Sequence, residues 1–135
     1  MTLKKQILPT EQNVKDYNFL KDMLKSQKIE FDLLSKKKAD TQLNPLKTKM
    51  MNRVLVPLKE LFKNEESFAF LDILSEDDMP SNSDVVLIIS QYETAIKKFS
   101  LKYYVFDEYQ VDKYGHNIKR WMTIEFPPDY YSDKR

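Results

Sequence analysis

The sequence contains a single glycine, Gly115, which separates two stretches in which the side chains alternate in character. In an extended chain, successive side chains point to opposite faces, so each stretch divides in two. In residues 100–109, the first face carries Leu101, Tyr103, Val105 and Asp107, and the second carries Lys102, Tyr104, Phe106 and Glu108. In residues 118–126, the first face carries Ile118, Arg120, Met122, Ile124 and Phe126, and the second carries Lys119, Trp121, Thr123 and Glu125. Because glycine readily adopts a positive φ, the connecting residues DKYGHN predict an antiparallel β-hairpin over residues 100–126, which Pro127 and Pro128 end.

The two faces of the predicted hairpin differ in chemistry. The first face supplies apolar residues that we expect to pack on helices: Leu101, Tyr103, Val105, Met122, Ile124 and Phe126. The second face combines lysines with aromatic rings: Lys102, Tyr104, Phe106, Lys119 and Trp121. We refer to these last five residues as the hairpin surface, and we treat them as the candidate partner-binding site.

Three interpretations of the hairpin surface are open. Aromatic cross-strand pairs stabilise hairpins, so the rings could simply belong to the packing of the fold. Tyrosine and tryptophan also supply rigid contact area to protein interfaces. Rings that stack on bases, beside lysines that contact phosphate, would fit single-stranded nucleic acid. Glu108 and Glu125 lie on the same predicted face and count against this last interpretation, because carboxylates repel phosphate.

Residues 11–38 show the three- and four-residue spacing of an amphipathic helix. Its apolar positions are Val14, Tyr17, Leu20, Met23, Leu24, Phe31 and Leu34. Thr10 can cap the start of the helix, with Asn13 in the place of the glutamate or glutamine of a full capping box. A helix of this length spans roughly 40 Å at about 1.5 Å per residue, which is longer than the core of such a domain requires. We therefore expect part of its apolar face to contact a protein partner, or a second copy of the chain in a homo-oligomer.

Two further helical patterns follow. Residues 47–63 fit one helical face, but Pro57 requires a kink or a helix start at that point. A short strand at RVLV followed by a helix is the competing interpretation, because valine is β-branched. Residues 84–99 repeat apolar side chains at helical spacing, with Ser83 as the expected N-cap. Two apolar residues near the start lie off this stripe, so either the helix is buried on two sides there or VVLIIS is a central strand.

These patterns together predict an α+β fold. SFAFLDIL at residues 67–74 fits a short helix or a strand equally well, and residues 127–135 form a tail. We expect one domain over residues 1–135, in which the long N-terminal helix and the further helices pack on the C-terminal hairpin.

Charge is segregated along the chain, although the net charge is only +1. Residues 1–63 carry fourteen basic and seven acidic residues, whereas residues 64–96 carry eight acidic residues and no basic residue. Such a division suits intramolecular docking, head-to-tail self-association or recognition of a charged partner. The simpler explanation of this division is that the charges lie on solvated faces and that the fold intermixes the basic and acidic segments.

The rare residue types narrow the chemistry that this chain can perform. Without cysteine there can be no disulfide, no thiolate nucleophile and no cysteine-ligated zinc site. His116 is the only histidine, and one glycine cannot build a phosphate-binding loop. We therefore expect no cofactor, no metal and no catalytic residues. Carboxylates at residues 76–78 and at Asp107 and Glu108 are the only basis for an enzymatic function.

The sequence also bears on location and origin. No apolar run approaches the length of about eighteen residues that a membrane span needs, and the first residues lack the hydrophobic segment of a signal peptide. We therefore expect a cytoplasmic protein without membrane contacts. Lysine supplies nineteen of the twenty-two basic residues, a bias typical of an AT-rich genome such as that of a virus with a low-GC host.

These features predict a non-enzymatic protein-binding protein, acting as an adaptor, an inhibitor or an assembly component. The alternative is a nucleic-acid-binding protein that uses the basic first half and the hairpin surface. A helix followed by a hairpin is also the ending of a winged-helix domain, with residues 67–74 and 84–99 as its helix-turn-helix. The second of these helices has no basic residue before Lys97, and acidic residues 76–78 precede it. Such a helix would meet phosphate poorly.

Overall fold

The computed structural model describes residues 7–132, and these residues form an α+β fold, as predicted. The helices are α1 (Glu11–Lys38), α2 (Pro45–Leu61) and α3 (Asn82–Tyr103), with short 3₁₀ helices at Glu66–Phe70 and Glu76–Asp78. The strands β1 (Tyr104–Val111) and β2 (Asn117–Trp121) pair antiparallel. None of the helices within residues 7–132 combines the length and the apolar character needed to cross a membrane.

The chain divides into two compact units. Met1–Asp16 with Lys97–Arg135 form the first, which we call the hairpin unit, and Tyr17–Ile96 form the second, which we call the helical unit. The boundaries between the units fall inside α1 and α3.

Helix α1 has the bounds and the N-terminal cap that the sequence predicts. The Thr10 hydroxyl accepts a hydrogen bond from the Asn13 N–H at 3.0 Å, and the Asn13 side-chain oxygen accepts one from the Thr10 N–H at 2.9 Å. Asn13 therefore performs the task of the glutamate in a capping box. Most of the predicted apolar stripe is buried: Val14, Tyr17, Leu20, Leu24 and Phe31.

Helix α2 begins and ends two residues earlier than predicted. Asn44 caps it, since its side-chain oxygen accepts from the Lys47 N–H at 2.9 Å. Pro45 occupies the first turn, where its missing N–H costs nothing. The helix continues through Pro57, so the alternative of a strand at RVLV is wrong. Met51, Leu55 and Leu58 are fully buried on one face, and this burial offsets the hydrogen bond that Pro57 removes.

Side chains from the helices hold an extended segment of the helical unit. The Asn52 amide donates to the Leu74 carbonyl at 2.8 Å and accepts from the Leu74 N–H at 2.9 Å, as a neighbouring strand would. The buried Tyr92 hydroxyl donates to the Asp72 carbonyl at 2.8 Å. Residues 67–74 therefore form neither a complete helix nor a strand: a 3₁₀ helix at Glu66–Phe70 leads into this segment.

Helix α3 is longer than the predicted 84–99. It begins at Asn82, and Ser81 rather than Ser83 caps it: Ser81 accepts from the Asp84 N–H at 3.2 Å and donates its own N–H to the Asp84 carboxylate at 2.9 Å. At the other end, the Phe99 and Tyr103 rings lie edge to face with centroids 4.9 Å apart. This contact over one helical turn extends α3 to Tyr103.

Tyr92 provides a test of the helical unit through the pH dependence of its stability. Burial raises the pKa of the Tyr92 hydroxyl above its ordinary value of 10.0, and the nearby Asp72 carboxylate adds to the shift. The folded state therefore keeps a proton that the unfolded state loses, so this contribution to stability is present below pH 10.0 and is lost as the pH rises further. We expect the free energy of unfolding, measured by urea denaturation, to fall less steeply above pH 10.0 in Tyr92→Phe than in the wild type.

The control for this experiment is Tyr114→Phe, because Tyr114 is exposed at the hairpin turn. Its alkaline stability profile should follow that of the wild type. Parallel profiles for the wild type and Tyr92→Phe would show that the buried hydroxyl does not control alkaline stability.

Candidate interaction site on the hairpin

The hairpin turn forms where the sequence predicts it. Gly115 has a φ of 81°, the left-handed geometry that glycine tolerates best. Asp112 organises the turn: its carboxylate accepts from the Tyr114 N–H at 2.8 Å and from the His116 N–H at 3.0 Å. Aspartate commonly stabilises turns in this way. The His116 side chain is exposed, with its Nδ1 3.9 Å from the Asp112 carboxylate.

The strands are shorter than the predicted hairpin over residues 100–126. Residues 100–103 belong to α3, and β2 ends at Trp121. Tyr104 pairs with Trp121 and Phe106 with Lys119, and the register shifts between Phe106 and Val111. A bulge of this kind bends the strand and turns its side chains.

Residues 122–126 leave the sheet because the start of α1 binds them. The buried Thr123 hydroxyl donates to the Glu11 carboxylate at 2.8 Å. The Glu125 carboxylate accepts from the Glu11 N–H at 2.8 Å, a favourable place for an anion at a helix N-terminus. The Ile124 N–H donates to the Pro9 carbonyl at 2.9 Å. Glu125 is therefore not on the hairpin surface, in contrast to the sequence-based expectation.

The shorter strands also correct the predicted packing face. Tyr103 and Met122 are buried, as expected, and Val105 is half-buried. Leu101 is 66% exposed and Ile124 is 59% exposed, so their assignment to the core is wrong. Leu101 lies on a helix and Ile124 lies beyond the strand, and neither follows the period of two on which the prediction depended.

A buried ion pair lies beneath the hairpin. Arg120 Nε donates to the Asp107 carboxylate at 2.6 Å, and Asp107 is fully buried. The same guanidinium donates to the carbonyls of Trp121, Phe126 and Pro127 at 3.1, 2.7 and 2.7 Å. Asp107 and Arg120 fall on one face in the alternation, but no sequence pattern indicated that they form an ion pair.

The hairpin surface brings together four of its five predicted residues. The Tyr104 and Trp121 ring centroids are 5.3 Å apart. Lys119 Nζ lies 5.5 Å from the Tyr104 centroid and 5.4 Å from the Phe106 centroid. Phe106 is 65% exposed and Tyr104 is 38% exposed, whereas Trp121 is half-buried against Phe99 at 5.8 Å. The surface is thus a row of rings with an ammonium group over the two most exposed ones.

Lys102 occupies a different position from the other four residues. It belongs to the last turn of α3 rather than to a strand, and its Nζ lies 5.0 Å from the Tyr103 centroid. Lys102 instead contributes to a cleft of about 250 Å³ on the hairpin unit. Sequence reasoning missed this cleft, whose lining residues are Leu8, Lys102, Tyr103, Val105, Phe106, Glu108, Met122 and Pro128.

The site has no feature of a metal centre. Within residues 7–132, no group of three or more histidine, aspartate or glutamate side chains is arranged to hold a metal ion. What the hairpin surface offers is exposed aromatic area, one ammonium group and the backbone edge of β1. These features suit binding to a macromolecule.

The buried ion pair predicts a large effect on stability. Asp107→Ala removes one partner and leaves the Arg120 charge largely buried, so we expect a loss of about 3–5 kcal/mol in the free energy of unfolding. The measurement is urea denaturation followed by the fluorescence of Trp121, the only tryptophan. The control is Glu60→Ala, which breaks an exposed pair with Lys63 and should cost at most about 1 kcal/mol. Equal losses in the two variants would contradict this role for Asp107.

No protein-family model, no curated protein and no solved structure matches this chain.

Proposed function

We propose that this protein is a non-enzymatic protein-binding protein that acts through the hairpin surface as an adaptor, an inhibitor or an assembly component. The carrying observation is the Phe106 ring, which is 65% exposed and has the Lys119 ammonium group over it. An exposed ring beside other rings gains free energy when a partner covers it, at roughly 25 cal/mol per Å² of apolar area. Aromatic residues of this kind supply most of the binding energy in protein interfaces.

The charge at this surface indicates what the partner presents. Within residues 7–132, no carboxylate lies within 4.0 Å of Lys119 Nζ, and its neighbours are the Tyr104 and Phe106 rings. A partner carboxylate placed over the rings would meet this ammonium group in a partly desolvated setting, where an ion pair is stronger than in water. An acidic side chain beside an apolar one is therefore the complementary chemistry.

Helix α1 offers a second surface for protein contacts. Opposite its buried stripe it exposes four large apolar side chains: Phe19, Met23, Ile29 and Leu33. Asp22 and Glu30 fall between Phe19 and Leu33 at steps of three or four residues, so they share the same face. A second copy docked antiparallel on this stripe would bring these carboxylates together. The stripe therefore favours a different protein with basic residues over a symmetric homo-oligomer.

An affinity-capture experiment with matched variants tests the proposed function. The wild-type chain, Phe106→Ala/Lys119→Glu and Tyr114→Ala/Lys113→Glu are each immobilised and exposed to extract from the native cells, and the retained proteins are identified by mass spectrometry. Lys113 Nζ lies 5.0 Å from the Tyr114 centroid at the turn, so the control removes a similar exposed pair elsewhere. We expect a protein that the wild type and the control retain and the Phe106/Lys119 variant loses. The same retained proteins in all three samples would contradict a role for the hairpin surface.

One observation favours nucleic acid as a second candidate partner. The sequence pattern placed Glu125 on the hairpin surface, where its carboxylate would oppose phosphate binding. In the structure this carboxylate instead binds the N-terminus of α1, and Glu125 lies outside β2. Tyr104, Phe106 and Lys119 then form a stacking platform with a cation, as in proteins that bind single strands. Glu108 remains exposed on β1 and still opposes phosphate binding.

Fluorescence anisotropy with labelled single-stranded poly-thymidine tests this second candidate. Binding should weaken steeply with salt, and Lys119→Ala should reduce the slope of log K against log salt by about 0.7. Lys113→Ala serves as the control and should leave the slope closer to that of the wild type. An absence of binding in low-salt buffer would remove nucleic acid from consideration.

A further inference from the structure

The two edges of the hairpin can be assigned from one hydrogen bond. The Met122 N–H donates to the Tyr103 carbonyl at 2.8 Å, directly beyond the pair of Tyr104 and Trp121. In an antiparallel ladder, hydrogen-bonded pairs alternate with pairs whose backbone groups point outward. The backbone groups of Tyr104 and Phe106 therefore point away from β2, along the outer edge of β1.

The two edges of the hairpin differ in their hydrogen bonds. On β2, the Trp121 carbonyl accepts from Arg120, which also binds the Phe126 and Pro127 carbonyls and so holds the following segment against the strand. On β1, the Phe106 N–H and carbonyl have no hydrogen-bond partner among residues 7–132. An edge with unpaired backbone groups is a template for an additional strand.

The cleft lies beside Phe106 on this edge. The consecutive residues Val105 and Phe106 place the cleft along β1, and Lys102 and Glu108 add charged groups to its lining. The apolar lining residues are Leu8, Tyr103, Val105, Phe106, Met122 and Pro128. A cavity of about 150 Å³ with apolar walls is large enough to bind benzene. The cleft, at about 250 Å³, can therefore take one large aliphatic or aromatic side chain.

We propose that the outer edge of β1 binds an extended segment of a partner protein as a third strand. This inference rests on the proposed protein-binding function and specifies how the partner is recognised. Main-chain hydrogen bonds to Phe106 supply affinity, and alternate side chains of the added strand supply specificity. One apolar side chain enters the cleft, and the adjacent residue, on the opposite face of the strand, presents a carboxylate to Lys119.

The charge of the surface favours a different protein over a second copy of this chain. In a symmetric pairing of two β1 edges, each copy would present Tyr104 and Phe106, with its own Lys119 ammonium group above them. The two ammonium groups would then lie on the same face of the combined sheet. Like charges in such an arrangement oppose association.

The test uses a displayed library of random dodecapeptides selected on the immobilised full-length chain. Enriched peptides should alternate an apolar residue with an acidic one. A selected peptide is then synthesised with single amide-to-ester replacements, each of which removes one N–H donor and leaves the protein unchanged. The ester at the position that pairs with the Phe106 carbonyl should weaken binding about 3- to 10-fold in fluorescence anisotropy, as expected for one hydrogen bond.

Protein variants separate the backbone from the side chains. Phe106→Ala removes the ring and keeps the backbone N–H, whereas Phe106→Pro removes both the ring and the N–H. An edge strand tolerates proline at a position whose N–H points outward. We expect Phe106→Pro to bind the selected peptide about 3- to 10-fold more weakly than Phe106→Ala. Lys119→Glu should weaken the same peptide, and the matched variant Lys113→Glu should not. Circular dichroism and Trp121 fluorescence verify folding, and the ester peptides decide the matter if Phe106→Pro does not fold.

The outcomes distinguish this inference from the function on which it rests. If Lys119→Glu weakens the peptide but every ester binds like the amide, strand addition is overturned and protein binding through the hairpin surface stands. If selection on the wild-type chain enriches no peptide beyond those that selection on Phe106→Pro enriches, strand addition is overturned. The affinity-capture experiment then remains the test of the proposed function. A mass that doubles with concentration in ultracentrifugation, and does not do so in Phe106→Pro, would identify a second copy as the occupant and overturn the proposed partner.

Discussion

The ion pair between Asp107 and Arg120 organises the hairpin unit. Asp107 is fully buried, and a buried carboxylate is stable only when charged and polar groups satisfy it. Arg120 does so while its remaining N–H groups bind the carbonyls of Phe126 and Pro127. The planar guanidinium can serve these partners simultaneously because its donors are fixed in a fork. One interaction thus connects the bulge of β1, the end of β2 and the C-terminal segment.

The same arrangement explains why the two basic residues of the hairpin differ. Arg120 and Lys119 are adjacent on β2, so their side chains point to opposite faces. Arg120 is bound beneath the sheet, and Lys119 stands over two rings above it, where a cation–π contact contributes about 0.5–1 kcal/mol. The buried ion pair thus occupies one face of the hairpin, and the opposite face is the one on which we propose that a partner binds.

Sequence periodicity predicted the elements better than their ends. The three-to-four spacing gave α1 its correct bounds, and Gly115 located the turn, because both signals are local. Tyr103 is two residues from Val105, which suits a strand, and four residues from Phe99, which suits a helix. The ring contact between Tyr103 and Phe99 favours the helix, and α3 includes Tyr103. The positions of Thr123 and Glu125 depend on Glu11, more than one hundred residues earlier, and no local pattern encodes such a contact. The structure brings together four of the five residues that the sequence pattern places on the hairpin surface, whereas no sequence pattern indicated the cleft or the outward-facing backbone of Phe106.

The four residues that the sheet brings together are not equivalent as determinants of binding. Trp121 is half-buried between Tyr104 and Phe99, so its ring also stabilises the junction of α3 with the hairpin. Replacing Trp121 would therefore change folding and binding together, although its aromatic character makes it the most obvious choice from sequence. Phe106 is mostly exposed and contributes little to the core, and the Lys119 ammonium group lies over the Tyr104 and Phe106 rings. The effects of replacing Phe106 or Lys119 would consequently report on binding of the proposed partner, because the folded state loses little when either side chain is removed.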